Sequence, residues 1–280
     1  MMATALDGDI DRRVLETVTK SSTRLTPLEL KQRLKIELAL KRGQFESSLK
    51  RLVRRKELVY TYQFGLSFLE PCFERPVRIT PSIVLKPPAC EFEARTGDAV
   101  VNLRSGAAFG SGCHPTTRLS LKAIDAVRVE RSYLPGGGSK RVLDVGTGSG
   151  VLLIAALKLG MDAGVGLDID PCARAEAREN ARLNLLGDRI DISSRAFEKI
   201  AGSFAMVIAN LRLPTLKTYF AQMIERVENG GALIVSGIKT NEINTIKTWS
   251  HKGGLTVGWE GAENGWAALA LHQCQKKNPA

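Results

Sequence analysis

Residues 141–150 read RVLDVGTGSG, and no other stretch restricts the fold as tightly. Val142, Leu143 and Val145 make an apolar run of strand length, and three glycines at alternate positions, Gly146, Gly148 and Gly150, follow it. Val151 then opens an apolar segment with the length of a helix. A strand that turns through glycines straight into a helix is the first half of a βαβ unit. Its glycines permit unusual backbone angles and let a ligand approach the chain closely at the helix N-terminus. The pattern continues: strand signals at 164–168, 189–193, 205–209, 232–236, 255–259 and 267–271 are interleaved with helix signals at 171–186, 214–227 and 241–249. Seven strands of this kind predict an α/β fold, a Rossmann-like, doubly wound and mostly parallel sheet that binds its ligand at the carboxyl ends of the strands.

What precedes this unit has a different pattern. Residues 11–19 place Val14, Leu15 and Val18 on one helical face. Thr26 and Pro27 read as the N-cap and first position of a second helix carrying Leu30 and Leu34, and residues 44–55 form a third with Phe45, Leu49, Leu52 and Val53. Residues 58–62 and 66–69 flank Gln63, Phe64 and Gly65 as a strand–turn–strand. Three helices and a hairpin predict a small winged-helix-like α+β domain over 1–72. Its third helix is expected to carry Lys50, Arg51, Arg54 and Arg55 on its outer side. Residues 73–135 read as a proline-rich connector with a strand at 83–85, another at 98–103, a glycine loop, and a helix at 118–127 capped by His114, Pro115, Thr116 and Thr117. Gly136, Gly137 and Gly138 mark a hinge into the third segment, 136–280.

Charge separates the segments further. The chain of 280 residues carries a formal +11, and residues 24–60 alone hold eleven basic against four acidic side chains. That local excess suits either a solvated helical face or an anionic partner, nucleic acid, ribosome or an acidic protein face, met through the N-terminal domain. At 44% hydrophobic and 25% charged, the composition excludes a disordered or collagenous chain. No apolar run reaches the ~18–20 residues of a membrane span, and no signal-peptide pattern opens the chain. Five cysteines and three histidines are scattered without ligand spacing, so neither a disulfide framework nor a metal site is expected, and the default address is cytoplasmic.

The chemistry is concentrated near the glycines. A nicotinamide loop reads Gly-x-Gly-x-x-Gly, whereas this one reads Gly-x-Gly-x-Gly after an acid, Asp144. That spacing resembles the loop of S-adenosylmethionine-dependent methyltransferases, whose cofactor carries positive ammonium and sulfonium groups. Asp168 ends the second strand 22 residues after Gly146, where a carboxylate can accept both hydroxyls of a ribose. Asp170 reads as the N-cap of the helix that begins at Pro171.

Residues 106–117, GAAFGSGCHPTT, resemble the AFGTG-x-HPTT motif of the PrmA-type ribosomal protein L11 methyltransferase family. The similarity runs on through VLDVGTGSGVLLIAALKLG, GLDIDPCARAEARENARLN, VIANL, VSGI and Trp266. This resemblance implies S-adenosyl-L-methionine as cofactor, held at Thr117, Gly146, Asp168 and Asn210, to which the acid and glycines of the loop itself add Asp144, Gly148 and Gly150. It also implies that Asn210 is catalytic, orienting the acceptor amine beside the methyl group. The expected substrate is a lysine or α-amine of a protein, a ribosomal one by resemblance. Thr147 stands where the family usually has cysteine. Leu211 and Arg212 replace its usual Ile-Leu and put an arginine near the acceptor. The family recognises its substrate through a ferredoxin-like N-terminal domain, unlike the pattern here. Two alternatives stay open: methylation of nucleic acid recruited by the basic domain, and a DNA-binding regulator that senses the cofactor. Against the first, base-amine methyltransferases read Asn/Asp-Pro-Pro-Tyr/Phe where this chain has Asn210-Leu211-Arg212-Leu213. Oligomeric state is not encoded.

Overall fold

A computed structural model describes residues 2–21, 25–37, 43–63, 65–104, 108–110, 112, 114–130 and 140–273. The hinge glycines 136–138, and Gly106, Ala107, Ser111 and Cys113 of the glycine-rich motif, lie outside the described residues. The chain divides into two compact units, Met1–Arg75 and Pro76–Ala280.

The first unit contains α1 (Met2–Lys20), α2 (Pro27–Glu37), α3 (Gln44–Arg54) and a hairpin of β1 (Leu58–Gln63) and β2 (Leu66–Pro71). The hairpin is antiparallel from Leu58↔Pro71 to Gln63↔Leu66, and Leu25, between the first two helices, adds a single bridge to Leu69 of β2. Helix α2 starts where its caps dictate: the Thr26 amide donates to Glu29 Oε2 at 2.8 Å, and the Glu29 amide donates back to Thr26 Oγ1 at 3.3 Å. Val14, Leu30, Leu34, Phe45, Leu49, Leu52 and Leu69 close one apolar core. Of the four basic residues expected on the outer side of the third helix, Lys50, Arg54 and Arg55 are exposed, and the expectation is corrected at Arg51, which is half-buried. Arg51 and Arg55 turn back onto the buried carboxylate of Asp11 on α1, at 2.8 and 2.6 Å. Lys50 and Arg54, one position earlier in each helical turn, stay exposed.

The second unit begins with a small sheet of β3 (Val77–Arg78), β4 (Ile83–Lys86) and β5 (Ala99–Asn102), in which β3 and β4 are antiparallel and β4 and β5 parallel. Helix α4 (Pro115–Val129) follows, with His114 as N-cap and Pro115 in its first turn. Then come β6 (Arg141–Val145), α5 (Val151–Lys158), β7 (Ala163–Leu167), α6 (Pro171–Leu183), β8 (Ile190–Ser193) and β9 (Phe204–Asn210). The chain ends with α7 (Leu213–Glu225), β10 (Val227–Lys239), α8 (Ile243–Lys252), β11 (Leu255–Glu263) and β12 (Trp266–Gln273). The large sheet has seven strands in the order β11-β12-β10-β9-β6-β7-β8. Only β12 runs against its neighbours, pairing antiparallel with both β10 and β11. This is the Rossmann-like methyltransferase fold expected from the sequence.

Two apolar layers cover the sheet. Ile83, Leu85, Ala99 and Val101 of the small sheet share one core with Val151, Leu152 and Ile154 of α5. Residues expected as a connector thus contribute packed strands to this unit. The other face packs Leu216, Phe220 and Met223 of α7 with Ile246 of α8. From β6 the chain winds outward to β7 and β8, then returns to β9 and β10 on the other side of β6. The crevice between β6 and β9 is therefore the switch point, where the carboxyl ends leave room for a ligand.

Candidate active site

A cavity of about 710 Å³ opens at this switch point. It gathers Gly146 and Gly148 from the loop after β6, Asp168 and Ile169 from the end of β7, Ala196 and Phe197 from beyond β8, and Asn210 and Leu211 from the end of β9. Residues far apart in sequence meet because parallel strands all deliver their carboxyl ends to one edge.

The glycine loop is held in a shape that side chains would spoil. Gly148 has φ +54°, and a Cβ there would lie 2.4 Å from the Phe109 carbonyl oxygen. A Cβ on Gly146, at φ +74°, would meet Leu211 Cδ2 at 2.6 Å. Gly150 does a different job: it caps α5 and abuts Ala177 of α6, away from the cavity lining. The loop is also stitched to its surroundings. The Ser149 amide donates to the Phe109 carbonyl at 2.9 Å and its hydroxyl to the Gly110 carbonyl at 3.0 Å. Asn180, fully buried on α6, donates to the Ser149 carbonyl at 2.9 Å and accepts from the Arg104 amide at 3.0 Å. These bonds carry Phe109 to the cavity wall.

Asp168 is oriented rather than merely exposed. Its Oδ2 accepts from the Gly148 amide and its Oδ1 from the Asp170 amide, both at 2.9 Å. Arg174 donates to the carbonyls of Asp168 and Ile169, at 3.0 and 2.9 Å, and fixes the turn. Each carboxylate oxygen retains acceptor capacity toward the cavity. Asp170 accepts from the Cys172 amide at 2.8 Å and caps α6, as its position before Pro171 implies.

Asp144 sits elsewhere. Fully buried beneath the loop and outside the cavity lining, it accepts the Thr147 hydroxyl at 2.7 Å. Burial pushes its carboxyl up to about 7; the Thr147 hydrogen bond opposes this and the charge of Asp168 adds to it. Thr117, in the first turn of α4, is also fully buried and outside the lining, and its hydroxyl has no hydrogen-bond partner among the described residues. His114 accepts from the Thr116 amide through Nδ1 at 3.3 Å, which is the bond of a helix cap. Its ring also lies between Phe109 and Trp266, with centroids 5.0 Å from each. Arg212 is exposed and does not line the cavity, although its neighbour Leu211 does. Of the seven residues read from the sequence, Gly146, Gly148, Asp168 and Asn210 converge on the cavity. Thr117, Asp144 and Gly150 stand behind it. Sequence reasoning missed Ile169, Ala196 and Phe197, whose one available signal was their place shortly after strand ends, and Thr215 and Tyr219, which reach the cavity from α7.

The residues fit a nucleoside-bearing cofactor. A carboxylate with spare acceptor sites, backbone glycines admitting close approach, and the apolar surfaces of Ile169 and Phe197 lie on one cavity. The family model described as ribosomal protein L11 methyltransferase (PrmA) matches residues 73–274. The chain belongs to the PrmA family. A relative from Geobacter metallireducens named ribosomal protein L11 methyltransferase is 39% identical over 194 residues, which cover 69% of this chain and 61% of the relative. One of the same name from Geotalea daltonii is 35% identical over 201 residues, covering 71% and 64%. The chain thus spans about three fifths of the length of these relatives. A solved ribosomal protein L11 methylase from Lactobacillus delbrueckii subsp. bulgaricus superposes with a TM-score of 0.62 at 26% identity, over 71% of this chain and 98% of that one. The PrmA match begins at residue 73, so almost all of the first compact unit lies outside it.

Proposed function

We propose that this chain transfers a methyl group from S-adenosyl-L-methionine to an amine of a protein, a lysine ε-amine or an α-amine, with a ribosomal protein as acceptor. The observation that carries the reading is the convergence of Gly146, Gly148, Asp168 and Asn210 on one cavity in a PrmA-family chain. In this reading Asp168 accepts the ribose hydroxyls. Gly146 and Gly148 admit the rest of the cofactor against the backbone, and Ile169 and Phe197 flank its base. Thr117, Asp144 and Gly150 shape the loop from behind, Asp144 through Thr147.

The bound cofactor supplies an electrophilic methyl on a sulfonium. The chain's task is to hold a neutral amine in line with it, at about 3–3.5 Å. Asn210, at the end of β9, offers its carboxamide oxygen to an amine N–H and so aims the nitrogen lone pair. A cavity walled by Leu211, Phe109 and Tyr219 lowers the pKa of an entering ammonium by desolvation, which favours the neutral nucleophile. Residues 1–72 act as a winged-helix-like module that recruits the acceptor, residues 73–135 lead into the site, and residues 136–280 hold the cofactor. A ribosomal acceptor places the reaction in the cytoplasm. No described helix is long and apolar enough to cross a membrane.

Incubating the full chain with radiolabelled cofactor and ribosomal proteins tests the reading. Label is expected in a protein band that survives ribonuclease; label confined to ribonuclease-sensitive material would replace it with nucleic-acid methylation. Asp168→Ala is expected to weaken cofactor binding by about 100-fold. An unchanged Kd by calorimetry would remove Asp168 from the ribose contact.

A further inference from the structure

The first compact unit carries a groove of about 640 Å³ between α2, α3 and β1. Its floor is closed by the core residues Phe45 and Leu49, 3% and 5% exposed, and the half-buried Val53 of α3 extends it toward the surface. Leu28 of α2 and Tyr60 of β1 form the walls, and they are 65% and 49% exposed. An apolar trough whose walls stand this far into water is a place where burial by a partner would be favourable.

The charges around it are distributed unequally. Lys31 and Glu46, at 2.5 Å, neutralise each other at one edge. Lys50 and Arg54 line the other and have no carboxylate partner among the described residues. The remaining basic pair of α3, Arg51 and Arg55, is committed to Asp11. The helix therefore presents two cations beside an apolar trough instead of a continuous basic face. Nucleic acid asks for the continuous face, with many phosphates neutralised at once. Lys50 and Arg54 are exposed one helical turn apart, a spacing matched by acidic residues four apart on another helix, whose apolar residues recur at three- and four-residue spacing beside them.

We propose that this groove docks an amphipathic helical segment of another protein, its apolar stripe on Leu28, Val53 and Tyr60 and its acidic residues against Lys50 and Arg54. The docking face is independent of which amine accepts the methyl group.

The test uses the full-length chain and a fluorescein-labelled helical peptide of roughly 18 residues, with leucines along one stripe and glutamates beside it. Two controls replace the glutamates with lysines or the leucines with serines, and a duplex DNA of similar length serves as competitor. The glutamate peptide is expected to give saturable anisotropy that weakens as salt rises, and both control peptides to bind at least about tenfold more weakly. The double variant K50E/R54E and, separately, Leu28→Ser are each expected to lose about tenfold in affinity. All three positions are exposed, so circular dichroism melting should match the parent chain and separate lost docking from lost folding. Binding of the glutamate peptide that survives both variants would overturn the proposal, as would no binding at all. DNA binding that K50E/R54E abolishes while the peptide stays unbound would reassign the face to nucleic acid. A dimer in sedimentation that Leu28→Ser dissolves would make the occupant a second copy of the chain.

Discussion

Both compact units bury an acid, and the two surroundings push it in opposite directions. In the first, burial raises the Asp11 carboxyl, but hydrogen bonds and charge from Arg51, with the charge of Arg55, outweigh that and hold it below the ordinary carboxylate range. In the second, Asp144 has no cation beside it among the described residues, and burial pushes it up to about 7. Desolvation is common to both; the partner decides the sign. An acid with cations fastens α1 to α3, whereas an acid without them is a buried hydroxyl acceptor under a loop that must keep its shape.

The largest effect separates the partner from the unit as the cause. Glu263 is a buried acid in the second unit, as Asp144 is, yet it pairs with Arg118 at 2.5 Å and Lys122 at 2.9 Å. Glu263→Gln leaves Arg118 buried without its carboxylate and is expected to cost about 3–5 kcal/mol in urea unfolding. A loss below about 1 kcal/mol would mean that the pair is not what holds α4 against β11.

Asp144→Asn is expected to act the other way. Because the folded carboxyl binds its proton more tightly than the unfolded one, this group's contribution to stability falls as pH rises from the ordinary value of 3.8 and is gone above about 7. The cofactor-free parent should therefore lose on the order of a few kcal/mol from this group between about pH 4 and pH 8, and Asp144→Asn should flatten that slope. Parallel pH profiles for parent and variant would show Asp144 to be ionised at ordinary pH.

The smallest effect concerns Asp11. Its contribution is fully present above the ordinary carboxylate value of 3.8 and disappears as pH falls below that through the lowered folded value. With Arg51 and Arg55 reaching solvent, Asp11→Asn is expected to cost about 2 kcal/mol at neutral pH. It should also remove part of the acid-induced unfolding of this unit, read by circular dichroism. An unchanged acid transition would break the contrast drawn between the two units.

Most of the second unit's architecture was legible because parallel strands buried on both faces read as continuous apolar runs, and each glycine or proline punctuated one. The strand of Val77 and Arg78 was not legible. Two half-buried residues carry no periodicity, and they become a strand only by pairing with Leu85 and Val84. Helix α1 begins nine residues before its predicted start, across a segment containing Gly8, a poor helix former, that shows no apolar stripe.

The sequence by itself determined the order of the elements, the glycine loop and the acid at the end of β7, because these depend on local periodicity and on spacing within one βαβ unit. Only the tertiary structure decided that Asp144 and Gly150 face away from the cavity that Gly146 and Gly148 line. It also decided that Arg51 and Arg55 serve Asp11 while Lys50 and Arg54 do not. Neighbours in sequence point to different sides of a loop or helix, and which side is buried depends on elements that arrive from elsewhere in the chain.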